Sequence, residues 1–145
     1  MKKINEMKLS FQSRSVNESF ARSAVASFIA ALDPTVEELT DVRTAVSEAV
    51  TNCIIHAYSE KIGTVYITAS IYPDNRVVIR IRDTGSGIED IQRAMEPLYT
   101  SCPGGERAGL GFAVMQSLCN KVRVTSTPGR GTSVTLTKII AAKAT

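Results

Sequence analysis

The stretch Ser47-Glu48-Ala49-Val50-Thr51-Asn52 lies within a long amphipathic segment and places a carboxylate and a carboxamide four residues apart. Because residues at i and i+4 leave the same face of a helix, Glu48 and Asn52 share one polar face. Cys53 belongs to the apolar stripe on the other side, which predicts that it lies in the core. A carboxamide oxygen suits Mg²⁺, and a glutamate one turn away can accept a proton from an attacking hydroxyl. The spacing alone favours the plainer interpretation, a solvated helix face.

A second stretch, Asp83-Thr84-Gly85-Ser86-Gly87, follows a predicted strand and combines a carboxylate with a glycine-rich bend. The carboxylate of Asp83 could accept a hydrogen bond from an exocyclic amine such as that of adenine. Gly85 and Gly87 would let the backbone approach a flat ligand closely. Because Asp and Gly are also common turn residues, this stretch by itself favours an ordinary turn.

A third glycine pair, in Gly109-Leu110-Gly111, precedes an apolar helical run that starts at Phe112. Free backbone amides at a helix N-terminus favour phosphate, although a flexible start of the helix explains the glycines as well. The sequence contains no P-loop motif, and the glycines do not open a strand-linked Rossmann unit. Residues 96–108 hold two prolines and two glycines with little periodicity. They predict a long loop, of the kind that is uncommon unless it serves function.

The periodicity along the chain predicts the order β-α-α-β-β-loop-α-β-β and an α+β fold. We expect a two-layer sandwich in which a mixed, mostly antiparallel sheet carries its helices on one face. The predicted strands cover residues 7–13, 64–72, 76–82, 121–126 and 132–139, and the predicted helices cover residues 17–31, 34–56, 89–95 and 109–120. Asp33 is the expected N-cap of the second long helix, with Pro34 at its first position. On the first helix, Phe20 and Phe28 have the spacing of an apolar stripe.

Composition narrows the class of protein further. The 145 residues are expected to form a single domain over residues 1–145, with a frayed tail at 141–145. The net charge of +3 is too small to indicate binding to nucleic acid. The three cysteines are widely spaced and form no CxxC pair, which argues against a zinc site or a disulfide framework. Because no apolar stretch is long enough for a signal peptide or a membrane span, we expect a cytoplasmic protein with reduced thiols.

Taken together and in this order, the stretches resemble the N, G1, G2 and G3 boxes of the GHKL ATPase superfamily. That group contains gyrase-, Hsp90- and histidine-kinase-type ATP-binding domains, and MutL. The N box is similar to Glu48-x-x-x-Asn52, the G1 box to residues 83–87, the G2 box to residues 109–111 and the G3 element to Gly131-Thr132. The resemblance implies a Bergerat-type ATP-binding fold, with ATP or ADP and Mg²⁺ as its ligands.

Segments outside these boxes resemble a narrower family, the anti-sigma-F serine kinases of endospore formers. The similar segments are residues 17–22, 32–35, 47–56 and 97–100, so the resemblance covers nearly the whole chain. It implies a homodimeric protein serine kinase that binds and inhibits the sporulation sigma factor F. Such a kinase phosphorylates and inactivates an anti-anti-sigma partner protein. Direct contact with nucleic acid or with a membrane is not expected.

The resemblance also implies roles for single positions of this chain. Glu48 would be the catalytic base, Asn52 the Mg²⁺ ligand and Asp83 the residue that reads adenine. Glu18 and Arg22 would contact the sigma factor and the anti-anti-sigma protein in turn. The remaining expected nucleotide contacts lie in the adenine pocket and in the lid over the phosphates: Gly85, Gly87, Thr100, Arg107, Gly109, Leu110, Gly111 and Thr132.

Three positions depart from the family pattern. Cys102 stands where relatives commonly have Lys, Ala108 where Ser or Thr usually precedes the G2 glycine, and Ala57 where a Gly follows the histidine. Three alternative functions also remain: a general-stress type of anti-sigma kinase, an anti-sigma module that binds ATP without catalysis, and the catalytic fragment of a sensor kinase. The last is disfavoured because the sequence shows no helical hairpin with a phosphoacceptor histidine.

Overall fold

The computed structural model describes residues 2–58, 61–95 and 111–141. The strands are β1 (Asn5–Gln12), β2 (Thr64–Ile71), β3 (Arg76–Arg82), β4 (Lys121–Thr127) and β5 (Gly131–Ile139). The helices are α1 (Val16–Ile29), α2 (Val36–Asn52), α3 (Ile91–Ala94) and α4 (Phe112–Leu118). A 3-10 turn at Ala30–Leu32 follows α1, and a π-helical turn at Cys53–Ala57 follows α2.

The five described strands form one sheet in the order β1-β2-β3-β5-β4. Each neighbouring pair is antiparallel, including the predicted hairpin of β2 and β3. The α+β class is therefore confirmed. The parallel pairing that a mixed sheet would contain is not found among the strands of the described ranges.

Alternating side chains give the sheet one buried and one exposed face. In β3, Val77, Ile79 and Ile81 are each at most 1% exposed and belong to the hydrophobic core shared with the helices. Arg80, between them in the chain, lies on the exposed face. The helices thus cover one face of the sheet, and α2 is held against that face by its buried side chains. No helix within the described residues is long and apolar enough to cross a membrane.

Helix α2 begins two residues later than the sequence suggested. Thr35 is its N-cap: the Thr35 hydroxyl accepts the Glu38 amide at 3.0 Å, and the Glu38 carboxylate accepts the Thr35 amide at 2.8 Å. This reciprocal capping box satisfies two backbone donors at once. Asp33 instead adopts a left-handed conformation with φ of 50° and ends the preceding 3-10 turn. The prediction of Asp33 as N-cap is therefore wrong.

The buried face of α1 also differs from the predicted stripe. Ala21, Val25 and Ile29 are spaced four residues apart and are all 0% exposed, so they form the inner row. Phe20 lies next to this row, is 55% exposed, and meets the ring of Phe11 edge-on at a centroid distance of 6.3 Å. The small side chain of Ala21, and not the larger Phe20, therefore faces the core.

One lysine joins three elements on the side of the core away from the α2 C-terminus. The Lys138 ammonium, on β5, donates to the Asp41 carboxylate of α2 at 3.0 Å and to the Leu118 carbonyl of α4 at 2.6 Å. Both side chains of the ion pair are mostly buried, with 14% and 24% exposure. The interaction therefore fixes the C-terminal end of α4 relative to α2.

Replacing Lys138 by methionine tests this connection. The variant keeps the aliphatic stem but leaves Asp41 and the Leu118 carbonyl without their donor. We expect the free energy of unfolding, measured by urea denaturation, to fall by about 1–2 kcal/mol. Lys121→Met, at the exposed start of β4, is the matched control and should change it by less than about 0.5 kcal/mol. Equal losses in the two variants would contradict this role.

Candidate functional site

The carboxylate of Asp83 lies at the end of β3 and is the best-connected polar group of the described site. Its Oδ1 accepts the Gly85 amide at 2.9 Å and the Thr132 amide at 3.2 Å. The Asp83 amide in turn donates to the Thr132 carbonyl at 2.9 Å. Asp83 is only 6% exposed. Because one donor lies in the bend directly after β3 and the other lies on β5, the orientation of the carboxylate is set by backbone at this edge of the sheet.

The second oxygen of this carboxylate meets helix α2. Asp83 Oδ2 lies 3.5 Å from the Sγ of Cys53, the first residue of the π-helical turn, and Cys53 is 3% exposed. Burial raises the pKa of the Cys53 thiol well above its usual value, and the charge of Asp83 adds to the effect. The thiol is therefore protonated and donates. Burial also raises the pKa of Asp83, while the hydrogen bonds from Gly85, Cys53 and Thr132 act in the opposite direction.

The glycine bend packs closely against the end of α2. The Ser86 amide donates to the Ala57 carbonyl at 3.1 Å. A methyl group on Gly85 would overlap that same carbonyl oxygen. Gly87 has a φ of +76°, and a methyl group there would overlap the Thr127 carbonyl. The glycines of the predicted turn are thus required by close backbone approach on both sides of the bend.

A buried tyrosine holds the start of this bend. The Tyr58 hydroxyl accepts the Thr84 amide at 2.6 Å and donates to the Thr64 carbonyl at 2.9 Å. Tyr58 is 4% exposed, and its ring fills the space beside Gly63. The residue therefore ties the end of α2, the start of β2 and the bend after β3 together.

Glu48 lies at the other end of the polar row on α2. A methyl group on Gly111 would overlap the Glu48 carboxylate, and Gly111 has a φ of +73° as the residue that precedes α4. Glu48 is half-buried, as is Asn52 one turn further along. The Oδ1 atom of Asn52 is itself buried. The Glu48 carboxylate, the Asn52 carboxamide and the Cys53–Asp83 contact therefore follow one another along α2 and the π-helical turn after it.

The structure brings together most of the predicted site residues that it describes. They form two groups joined by α2, the first around Asp83 and the second around Glu48: Asp83, Gly85, Gly87 and Thr132, then Glu48, Asn52 and Gly111. The predicted lid residues Thr100, Arg107, Gly109 and Leu110 lie outside the described residues. Cys53 and Tyr58 were not predicted as site residues. The sequence could have pointed to Cys53 in part, because this residue directly follows the predicted site residue Asn52.

The predicted partner-binding pair lies on α1, next to the same helix. Arg22 Nε is 3.8 Å from Glu18 Oε1, and the Ser47 hydroxyl donates to that same carboxylate oxygen. Ser47 immediately precedes Glu48. Ser47 therefore connects the Glu18–Arg22 pair to the helical turn that carries Glu48, through a hydrogen bond that sequence spacing could not show.

Comparison with known proteins gives the family. A model of the histidine kinase-like ATPase domain matches residues 11–138. The anti-sigma F factor of Caldanaerobacter subterraneus subsp. tengcongensis is 57% identical over 136 residues, which cover 94% of each chain. The chain belongs to the anti-sigma F factor family. Another member, from Clostridium acetobutylicum, is 54% identical over 134 residues and covers 92% of this chain and 93% of its own.

Solved structures show the same fold at low sequence identity. The RsbU and RsbW domains of a Mycobacterium tuberculosis protein match with a TM-score of 0.70 and 20% identity over 97% of this chain, which spans 33% of that larger one. The catalytic domain of the histidine kinase ThkA matches with a TM-score of 0.57 and 14% identity, covering 92% of this chain and 96% of its own. The family model and the curated relatives confirm the resemblances to the GHKL superfamily and to anti-sigma F factors, and the solved structures show the fold.

The substitution Gly85→Ala tests whether Gly85 is packed against backbone in this member of the anti-sigma F factor family. The added methyl group meets the backbone of Ala57, which cannot rotate away. We therefore expect the free energy of unfolding in urea to fall by about 2–3 kcal/mol. Gly129→Ala is the control, because nothing lies within 4 Å of that position although its φ is +80°. It should cost only about 1 kcal/mol of backbone strain. A larger loss at Gly129 than at Gly85 would contradict the close approach.

Proposed function

We propose that this protein binds ATP with Mg²⁺ between the bend at Asp83 and Glu48, holds the sporulation sigma factor F, and phosphorylates a serine of an anti-anti-sigma partner. The observation that carries the proposal is the arrangement on α2. That helix holds the half-buried Glu48 carboxylate against Gly111, and Cys53, at the start of the π-helical turn that continues it, contacts the buried Asp83. One rigid element therefore sets the distance between the part of the site that reads the base and the part that reacts.

At the adenine end, Asp83 supplies the acceptor for the exocyclic amine. Its Oδ1 already holds two backbone donors, at Gly85 and Thr132, so the carboxylate cannot turn away from the pocket. Gly87 leaves the pocket wall without a side chain at a point where a methyl group would overlap backbone. Selectivity for adenine then follows from a fixed acceptor beside a flat, open surface.

The residues at the centre of the site fit Mg²⁺. The buried carboxamide oxygen of Asn52 is a hard neutral ligand of the kind that Mg²⁺ accepts. Within the described residues, no group of three His, Cys, Asp or Glu side chains could hold a metal ion by itself. Asn52 would therefore share the ion with the triphosphate. When bound, the ion supplies neutralisation of phosphate charge.

At the reacting end, Glu48 accepts the proton of the attacking serine hydroxyl. Its contact with Gly111 keeps the carboxylate on the side of α2 where α4 begins. The transferred phosphoryl group needs little covalent help, so positioning of the hydroxyl by Glu48 is the main contribution of the protein there. Thr100, Arg107, Gly109, Leu110 and Gly111 are proposed as the lid and its phosphate contacts.

The proposed docking residues for the protein partners are Glu18 and Arg22. Arg22 is partly exposed, with 39% of its side chain accessible, and its neighbour Glu18 is anchored to Ser47 on α2. Sigma factor F and the anti-anti-sigma protein would use this surface in turn, on a homodimer in the cytoplasm. Two relatives named anti-sigma F factor share 57% and 52% identity with this chain, which favours the sporulation type over a general-stress kinase.

The catalytic assignment is tested by incubating the protein with radiolabelled ATP, Mg²⁺ and the anti-anti-sigma protein. Glu48→Gln should lower kcat by about 100- to 1,000-fold with little change in ATP affinity, because it removes only the proton acceptor. Asn52→Ala should abolish phosphorylation and weaken ATP binding by about tenfold in the presence of Mg²⁺ only.

Thr40→Ala, an exposed substitution earlier on α2, is the control for these variants and should keep wild-type rates. Normal phosphorylation by Asn52→Ala would refute the metal assignment. Absence of phosphorylation by the wild-type protein, with intact ATP binding, would instead favour the non-catalytic anti-sigma module.

The partner surface is tested with Arg22→Ala. We expect retention of sigma factor F in a pull-down to weaken by about tenfold or more, as is typical of an arginine at the centre of an interface. ATP affinity should stay within about twofold, because the contact of the guanidinium is with Glu18 on the same helix. Arg123→Ala, an exposed cation on β4, is the matched control. Unchanged retention by Arg22→Ala would exclude this surface.

A further inference from the structure

The two oxygens of the Asp83 carboxylate have different environments. Oδ1 is occupied by the backbone amides of Gly85 and Thr132. Within the described residues, the donor that reaches Oδ2 is the thiol of Cys53. Because a carboxylate oxygen can accept two hydrogen bonds, Oδ2 keeps capacity for one further donor. A ligand amine at this site would therefore share Oδ2 with the thiol.

The position of Cys53 is set by two features of the fold. It is the first residue of the π-helical turn after α2, and it is packed in the core at 3% exposure. The turn itself is held by the Ser86 amide on the Ala57 carbonyl and by Tyr58. The thiol therefore approaches Asp83 from a fixed direction and cannot exchange its partner for water.

A buried carboxylate needs hydrogen-bond donors around it to stay ionised, and only in the ionised form do both of its oxygens act solely as acceptors of hydrogen bonds. Removal from water disfavours the ionised form, and hydrogen bonds restore it. A protonated Asp83 would present a hydroxyl group, which is a hydrogen-bond donor, to the ligand. The exocyclic amine is itself a donor and needs the acceptor that a carboxylate provides. Each donor to Asp83 thus contributes to recognition of an amine, although only Asp83 contacts the amine directly.

We infer that Cys53 is a positioning residue for base selectivity: its thiol, by donating to Asp83 Oδ2, holds that oxygen as the acceptor for the exocyclic amine of adenine. The inference rests on the proposed role of Asp83 in reading the base. It gives the thiol a role beyond filling the core, and it concerns selectivity between nucleotides and not the transfer step.

The test compares the affinities of ATP and ITP, because hypoxanthine carries a carbonyl group where adenine carries the amine. Dissociation constants for both nucleotides are measured by calorimetry on the full-length protein and its variants. Cys53→Ala and Cys53→Val both remove the thiol donor. The alanine leaves a space in the core, whereas the valine fills it. Cys53→Ser keeps a donor of similar size. Cys119→Ala, a partly buried cysteine beyond α4, is the control.

We expect Cys53→Ala and Cys53→Val to weaken ATP binding by about 3- to 10-fold, the effect of one lost hydrogen bond. ITP binding should change by less than about twofold, so the preference for ATP falls. Cys53→Ser and Cys119→Ala should retain the wild-type preference. A purely structural role for Cys53 would weaken both nucleotides together and leave their ratio unchanged.

Asp83→Asn separates failure of this inference from failure of the proposed function. If the wild-type protein does not prefer ATP over ITP, or if Asp83→Asn keeps that preference, then the reading of the base by Asp83 is wrong. If Asp83→Asn loses the preference while both Cys53→Ala and Cys53→Val keep it, only the role of Cys53 is overturned. Loss of the preference in Cys53→Ser would also overturn it.

Discussion

Burial of the Asp83 carboxylate is the constraint on which the rest of the site depends. An ionised group that is 6% exposed must be hydrogen-bonded, or its removal from water costs several kcal/mol. Two backbone amides and one thiol meet this requirement, and they come from the bend, from β5 and from the end of α2. The three segments must therefore approach closely. Glycine at positions 85 and 131 follows from that approach, since a side chain at either position would overlap backbone.

Helix α2 fixes the distance between this arrangement around Asp83 and the Glu48 carboxylate. Its start is fixed by the capping box at Thr35, and its middle by the Lys138–Asp41 pair. Its end widens into a π-helical turn, a feature often found at functional sites. Because the helix is anchored along its length, Glu48 and Cys53 keep a constant separation. Ser47 adds a hydrogen bond to Glu18 on α1, so the proposed partner surface and the proposed reaction centre adjoin the same helical turn.

Local patterns predicted the elements well where one physical signal dominated. Alternation in β2 and β3, with a turn between them, gave the hairpin and its inward residues. Prediction was wrong where two signals competed. Asp33 and Thr35 are both good capping residues, and the choice was made by Glu38, which completes the box only with Thr35. Phe20 has a core-like side chain, but the small Ala21 occupies the inner row of α1.

By itself, the sequence determined the order of the elements and the polar row of Glu48 and Asn52, because these depend on spacing along the chain, and its motifs resembled those of the family. The tertiary structure decided which donor meets Asp83 Oδ2 and which serine meets Glu18. Cys53 and Asp83 are 30 residues apart, and Ser47 and Glu18 are 29 apart. Cys53 has the pattern of an ordinary core residue. Its contact exists only because the turn after α2 and the end of β3 are packed together, and no local periodicity encodes that distance.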